Sequence, residues 1–248
     1  MRHSCWIIPL GVLVTLAAMP PAWASEGAHW TYEGTEGPEH WGELSEAFDM
    51  CSKGRNQSPI DLVAHLSPEL PELIFEYTRP GDLDEINTGH AIQETVNPGN
   101  YIVFYDERYE LKQFHFHSPS EHLVDGEAFA MEVHFVHQNQ EGNYAVVGLL
   151  VQEGETNELL NQLPSFRAAR GEDPHGDSVD FNELITDRTS YFLYNGSLTT
   201  PPCTEGVQWI LLKQPLIASP EQIQHYHDLL GFDNNRPIQP HNSRLVLD

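Results

Sequence analysis

Runs of six to nine residues in which apolar and polar positions alternate set the rhythm of most of this chain. They are ELIFEY (72–77), AIQETV (91–96), NYIVFYD (100–106), LKQFHFH (111–117), MEVHFVHQ (131–138), YAVVGLLVQ (144–152), RTSYFLYNG (188–196) and VQWILLK (207–213). A period of two, bounded by Gly, Pro, Asn and Asp, predicts half-buried β-strands. Helical signals are fewer and shorter. TNELLNQL (156–163) predicts a helix opened by Thr156 as N-cap. SPEQIQHYHDLLG (219–231) predicts another, with Ser219 as N-cap, Pro220 at the first helical position and Gly231 past the end. No internal repeat, low-complexity tract or linker divides the chain. The pattern describes one large, mostly β domain with small peripheral helices.

The stretch QFHFHSPSEH (113–122) places three histidines and a glutamate in ten positions. Side chains alternate across a strand, so Gln113, His115 and His117 share one face and Phe114 and Phe116 the other. The aromatic face belongs in a core, and the imidazole face looks into a cavity. In MEVHFVHQ the same parity groups Glu132, His134, Val136 and Gln138 against Val133, Phe135 and His137. The segment between His117 and His134 is long enough to reverse the chain, so the two strands can pair antiparallel and bring three imidazoles together. Three neutral imidazoles with no fourth protein ligand describe a catalytic zinc site that keeps one position open for water. Ligating imidazoles donate their other N–H to an acceptor, and Gln113 and Glu132, each two residues before a ligand on the same face, are placed for that duty. His122 is expected only in support and His137 has the wrong parity. His29, His40, His65, His175, His225, His227 and His241 show no partner pattern.

Residues 1–24 carry Arg2 and His3, an apolar run from Trp6 to Met19 and the ending Ala22-Trp23-Ala24. This predicts a secretory leader cleaved after Ala24; the run is shorter than the ~20 residues of a membrane-spanning helix. Residues 25–248 then form the single domain, periplasmic or secreted and without a membrane anchor. Cys5 leaves with the leader, so Cys51 and Cys203 are the pair available for a disulfide in an oxidising compartment. The chain has 37 acidic against 12 basic residues and a net charge of −25 at pH 7. That balance excludes nucleic acid as a partner, because binding it needs a basic surface, and it disfavours anionic membranes.

Seven motifs occur in an order that resembles the α-class carbonic anhydrases, through nearly all of residues 25–248. They are WTYEGTEGPEHW (30–41), NQSPIDL (56–62), NTGHAIQ (87–93), QFHFHSPSEH (113–122), MEVHFVH (131–137), GSLTTPPCTEGVQWIL (196–211) and NNRPIQP (234–240). The resemblance implies a single domain built on a large central, mainly antiparallel twisted sheet with short peripheral helices. It implies Zn2+ held by His115, His117 and His134, and reversible hydration of carbon dioxide to bicarbonate and a proton by zinc-hydroxide attack. This family is the standard case in which zinc lowers the pKa of a bound water to about 7. The family's threonine gate falls on Thr199, its neighbour on Thr200, the glutamate that orients the gate on Glu121, and the histidine proton shuttle on His90. Val136, Val146, Leu198, Val207 and Trp209 match the apolar wall that holds carbon dioxide. Tyr32, Asn87 and Gln93 match residues that order active-site water. Ser58-Pro59 and Pro201-Pro202 match cis peptide sites, and a homodimer is common among bacterial members.

Ser118-Pro119 after His117 departs from vertebrate members without touching a ligand, and Asn195-Gly-Ser is a formal glycosylation sequon. Two other classes share single features. His115-x-His117-x-x-x-Glu121 mimics the ligand motif of a cupin-like metal oxygenase, but Tyr109 stands where that motif has glycine, and Pro119 breaks the parity that would bring Glu121 to the metal. A non-catalytic, carbonic-anhydrase-related zinc module typically loses a ligand, and here all three are present.

Overall fold

The computed structural model describes residues 28–77, 83–169 and 179–248. The leader expected at residues 1–24 and His175 lie outside them. The strands are β1 (Asp61–Leu62), β2 (Leu73–Glu76), β3 (Leu83–Asn87), β4 (Ile92–Val96), β5 (Tyr101–Phe104), β6 (Glu107–His117), β7 (Leu123–Val124), β8 (Glu127–Ala128), β9 (Met131–Gln138), β10 (Tyr144–Glu153), β11 (Tyr191–Ser197) and β12 (Glu205–Ala218). The helices are α1 (Trp41–Leu44), α2 (Met50–Lys53), α3 (Pro164–Ala169), α4 (Phe181–Leu184) and α5 (Pro220–Leu230). All eight predicted strands form. The short β1, β7 and β8 and the charged β3 were not anticipated, because their two to five residues carry no clear alternation.

Nine strands make one sheet in the order β11-β12-β10-β9-β6-β4-β3, with β5 joining β2 to β6. Every pairing in it is antiparallel except β10 with β12. A second, three-stranded sheet has the order β1-β7-β8. The chain is therefore mostly β on a large, mainly antiparallel sheet, as the alternation and the resemblance both imply.

The alternation in β6 and β9 divides the molecule. Phe114, Phe116 and Phe135 are 0–1% exposed and pack on Phe181 of α4, Phe166 of α3 and Tyr226 of α5. Burying a phenylalanine is worth roughly 1.5–3 kcal/mol, so this face anchors the strands. The opposite face is left free to carry polar chemistry.

Helix α5 follows its sequence signals. Ser219 Oγ accepts from the Gln222 N–H, the Gln222 side chain accepts from the Ser219 N–H, and Gly231 ends the helix at φ 80°. The helix expected from Thr156 does not form. Asn157 Oδ1 instead accepts from the N–H groups of Leu159 and Leu160, a 3-10 turn spans Leu160–Gln162, and α3 begins at Pro164. Proline is tolerated in the first turn of a helix but not in its interior, and it disfavours helical backbone in the residue before it, so the helix starts there and not eight residues earlier.

Cys51 and Cys203 form the expected disulfide, closing a separation of 152 residues. The Cys203 N–H donates to the Thr200 carbonyl at 2.9 Å and the Cys203 carbonyl accepts from Gln57 at 3.0 Å. The bridge thus ties the loop of Thr199 and Thr200 to α2. Chain entropy gives a loop of this length roughly 5 kcal/mol of stabilisation. Reduction is expected to lower both melting temperature and activity; a reduced protein that melts and turns over like the oxidised one would refute that role. Ser58-Pro59, Pro201-Pro202 and Ser118-Pro119 are cis, the last not anticipated. Among the described residues no helix is long and apolar enough to cross a membrane.

Candidate metal centre

The β6–β9 pairing sets His115 directly opposite His134, and His117 opposite Glu132. The ring centroids lie 5.0 Å apart for His115 and His117, 5.4 Å for His115 and His134, and 4.6 Å for His117 and His134. One nitrogen from each ring lies within 4.8 Å of the other two. Behind His134 the neighbouring strand carries Gly148. A Cβ there would meet Leu211 at 2.1 Å and Glu132 Oε1 at 3.3 Å, so only glycine lets β10 pass this close.

The remaining nitrogen of each ring is anchored. His115 Nδ1 bonds to Gln113 Oε1 at 2.8 Å and His134 Nε2 to Glu132 Oε1 at 2.8 Å, as the spacing predicts. His117 Nδ1 bonds to the Asn234 carbonyl at 2.7 Å. Donation through these atoms leaves His115 Nε2, His117 Nε2 and His134 Nδ1 as the lone-pair nitrogens. His117 Nε2 is buried without a hydrogen-bond partner, an arrangement a metal ion would satisfy. Burial first, and the neighbouring rings second, hold the His115 pKa well below the usual histidine range; burial also lowers that of His117. Neutral imidazole is the ligating form. Three such donors without a fourth protein ligand fit zinc with an open position.

Glu132 is the hub behind the rings. Besides His134 it accepts from the N–H groups of Glu121 (3.0 Å) and His122 (2.8 Å) and bonds to His122 Nδ1 at 2.7 Å. His122 Nε2 continues to the Tyr194 hydroxyl at 2.6 Å, which meets Ser58 Oγ at 2.8 Å. His122, Glu132 and His134 also fall within metal-ligand reach of one another, but their facing atoms are spent on these hydrogen bonds. Burial alone would raise the Glu132 pKa; His122 and His134 more than offset it and hold the carboxylate well below its usual range.

Glu121 is held differently from expectation. Its Oε1 accepts from the Arg236 N–H at 2.8 Å, while Oε2 is buried with no hydrogen-bond partner among the described residues. Oε2 lies 3.5 Å from His117 Nε2 and 4.0 Å from His134 Nδ1. The expected bond from Thr199 to Glu121 is thus not closed here: Arg236 sets the carboxylate, and its second oxygen turns toward the rings. Arg236 is 1% exposed and clamps the Gln57 side chain and the carbonyls of Ser58 and Cys51. Thr199 is buried and Thr200 half-buried on the disulfide-tied loop.

Val136, Val146 and Trp209 lie side by side on three neighbouring strands, with Val146 opposite both of the others. Val136, Val146, Val207 and Trp209 belong to one buried cluster, and Leu198 packs against it. Gln93 stands opposite His115 in the β4–β6 register. The Tyr32 hydroxyl is buried without a partner. Asn87 does not reach into this cluster; it is exposed, and its Oδ1 accepts from the Gly89 N–H at 2.9 Å, shaping the turn that presents His90. His90 stacks on Trp30, with centroids 3.6 Å apart and planes at 8°, and its Nε2 bonds to the Trp30 carbonyl at 2.9 Å. Both line a cavity of about 330 Å³ with Tyr32 and Phe232.

The roles of Asn234 and Arg236 were not legible. Toward His117 and Glu121 they act through backbone atoms, the Asn234 carbonyl and the Arg236 N–H, and the motif NNRPIQP gives no hint that a carbonyl in it orients a ligand. His122, expected only in support, bonds to Glu132 behind the rings; Tyr194 had no signal.

The sequence profile of the eukaryotic-type carbonic anhydrases matches residues 36–248. A carbonic anhydrase of Pectobacterium carotovorum is 40% identical over 242 residues, 96% of this chain and 98% of that protein. One from Neisseria gonorrhoeae is 38% identical over 239 residues, 96% of this chain and 94% of that protein. The structure of the α-carbonic anhydrase of Thermovibrio ammonificans, solved with the inhibitor sulfanilamide, superposes with a TM-score of 0.82 at 40% identity, covering 90% of this chain and 100% of that one. The match spans nearly the whole of the described chain, and the chain belongs to the carbonic anhydrase family, of the α or eukaryotic type.

Proposed function

We propose that this chain catalyses the reversible hydration of carbon dioxide to bicarbonate and a proton around a zinc ion held by His115 Nε2, His117 Nε2 and His134 Nδ1. The observation that carries the proposal is the convergence of three nitrogens whose ring partners are each tied to an acceptor. The ion, when bound, supplies the Lewis acidity that makes hydroxide available as nucleophile near neutral pH, an effect for which this family is the standard example.

The protein's own groups do the rest. Gln113, Asn234 and Glu132 hold the three imidazoles neutral and correctly turned. Glu121 Oε2, left free because Oε1 is committed to Arg236, would accept from the Thr199 hydroxyl once that bond closes; Thr199 Oγ1 could then only accept, which would orient the attacking water. Val136, Val146, Leu198, Val207 and Trp209 offer an apolar surface to a substrate that is itself apolar and uncharged. Bicarbonate is neither, so this wall favours its departure.

The product proton needs an exit. A site of pKa about 7, recombining with protons near the diffusion limit of about 10¹⁰ M⁻¹s⁻¹, releases them to water at only roughly 10³ per second. His90 is the relay: donating through Nε2 to the Trp30 carbonyl, it leaves Nδ1 to take a proton. His90→Ala is expected to lower maximal turnover in weak buffer, with partial rescue by added imidazole. Equal turnover in weak buffer would remove the relay and leave the metal assignment standing. The disulfide supports export to the periplasm or beyond, with residues 1–24 as leader. The deciding assay is stopped-flow carbon dioxide hydration, sulfonamide-sensitive, for the unaltered protein beside His115→Ala.

A further inference from the structure

Strand β4 buries Ile92, Glu94 and Val96 on the face turned away from the metal centre and leaves Gln93 and Thr95 on the other. The middle of an apolar stripe is thus a carboxylate, with 0% of its surface exposed. Its partner in register across the β3–β4 pairing is a second carboxylate, Glu85. Directly opposed residues of an antiparallel pair project on the same side, close enough to touch.

Glu94 Oε1 accepts from the Ser165 N–H at 3.0 Å. Its Oε2, Glu85 Oε2 and Ser165 Oγ are all buried, and none has a hydrogen-bond partner among the described residues. Around them α3 contributes Ser165, β6 contributes Phe114 opposite Glu94, and α5 contributes Tyr226, whose hydroxyl donates to the Phe116 carbonyl. Arg167, the cation of α3, has an interaction of its own. Glu85 is half-buried and Glu94 fully buried; two ionised carboxylates placed in this way repel each other, and the state carrying one proton is favoured.

We propose that Glu85 and Glu94 share a single proton between their free oxygens, and that this carboxyl–carboxylate hydrogen bond latches the β3–β4 hairpin beneath α3 until the proton is lost. Burial raises the pKa of Glu94 to about 7, against the lowering effect of Ser165 and with a further rise from Glu85, and burial raises that of Glu85 as well. The folded chain therefore holds the proton more tightly than the unfolded chain. The one-proton latch holds in mildly acidic solution, and its stabilisation is lost as pH rises through about 7. A metal fits the pair less well. The three oxygens fall short of the six to eight that calcium takes, and Ile92 and Val96 flank Glu94. Strand β4 also carries Gln93 opposite His115 and begins one residue after Ala91, the neighbour of His90. Release of the hairpin would therefore be felt at the cavity mouth.

Thermal melting of the full chain from pH 5 to pH 9, for the unaltered protein and for Glu94→Gln, tests the latch. The glutamine keeps an acceptor for Ser165 and offers Glu85 a permanent N–H. The unaltered protein should lose several degrees of melting temperature across neutrality. The variant should stay level, exceed it at pH 9, and match its hydration activity at pH 6. If the variant does not fold, infrared titration of the unaltered chain reads the same proton as a carboxylic-acid carbonyl band that vanishes across neutral pH. A melting profile no steeper than the variant's, or no such band at pH 6, overturns the shared proton. Stabilisation at pH 9 by calcium or magnesium that the variant lacks also overturns it, and assigns the pair to a metal.

Discussion

His115→Ala is expected to keep the fold and lose the chemistry. The side chain is half-buried, and Gln113 remains to be solvated when the ring is gone, so the melting temperature of the zinc-free variant should stay close to that of the zinc-free parent. Removing an outer partner of a ligand typically costs 10–100-fold in metal affinity or activity. Removing a ligand itself should exceed that, and hydration should fall by more than about 100-fold with zinc lost on dialysis. Stopped-flow hydration with metal analysis on the same sample checks both. A variant that retains zinc and full hydration would place the metal elsewhere and end the present assignment.

Glu132→Ala should be the most damaging single change to stability near the centre. It strands four buried donors at once, the N–H groups of Glu121 and His122, His122 Nδ1 and His134 Nε2. Each stranded donor costs roughly 1–3 kcal/mol before relaxation. Breaking a buried ionic network by removing one partner typically costs about 3–5 kcal/mol in total. Denaturant unfolding should show a loss of that order. Competition against a chelator should show zinc held roughly 10–100-fold more weakly. Because the histidines keep the Glu132 pKa well below its usual range, the network's stabilisation is present above the ordinary carboxylate range and goes only as pH falls through the depressed value. Glu132→Ala with unchanged unfolding and unchanged zinc affinity would show that the hub carries nothing.

Much of this centre could be read from parity. A period of two put His115 and His117 on one face of β6 and Glu132 and His134 on one face of β9, and pairing did the rest. Gln113 and Glu132 were legible for the same reason: an acceptor two residues away on a strand lies beside the ring it orients. The strands themselves were legible because Phe114, Phe116 and Phe135 mark the core face. What escaped was whatever depends on the backbone or on distant segments. The acceptor for His117 is a carbonyl 117 positions away, and no side-chain pattern announces it. The helix expected from Thr156 gives way to a 3-10 turn because Asn157 Oδ1 takes the N–H groups of Leu159 and Leu160, a side-chain competition that a capping pattern does not reveal. Glu94 occupies a strand position whose alternation asks for an apolar residue, and nothing local to AIQETV tells a buried carboxylate from a solvated one.

Asn234 and Arg236 also govern when the centre can exist. A nascent chain leaving the ribosome exposes His115, His117 and His134 long before residue 234 appears. Until then His117 has no fixed tautomer, and Glu121 has no backbone donor to set its carboxylate. Catalytic competence thus arrives only with the segment that carries Asn234 and Arg236, as one event with its closure, and an intermediate truncated ahead of Asn234 holds the ligands without the alignment that makes them an enzyme.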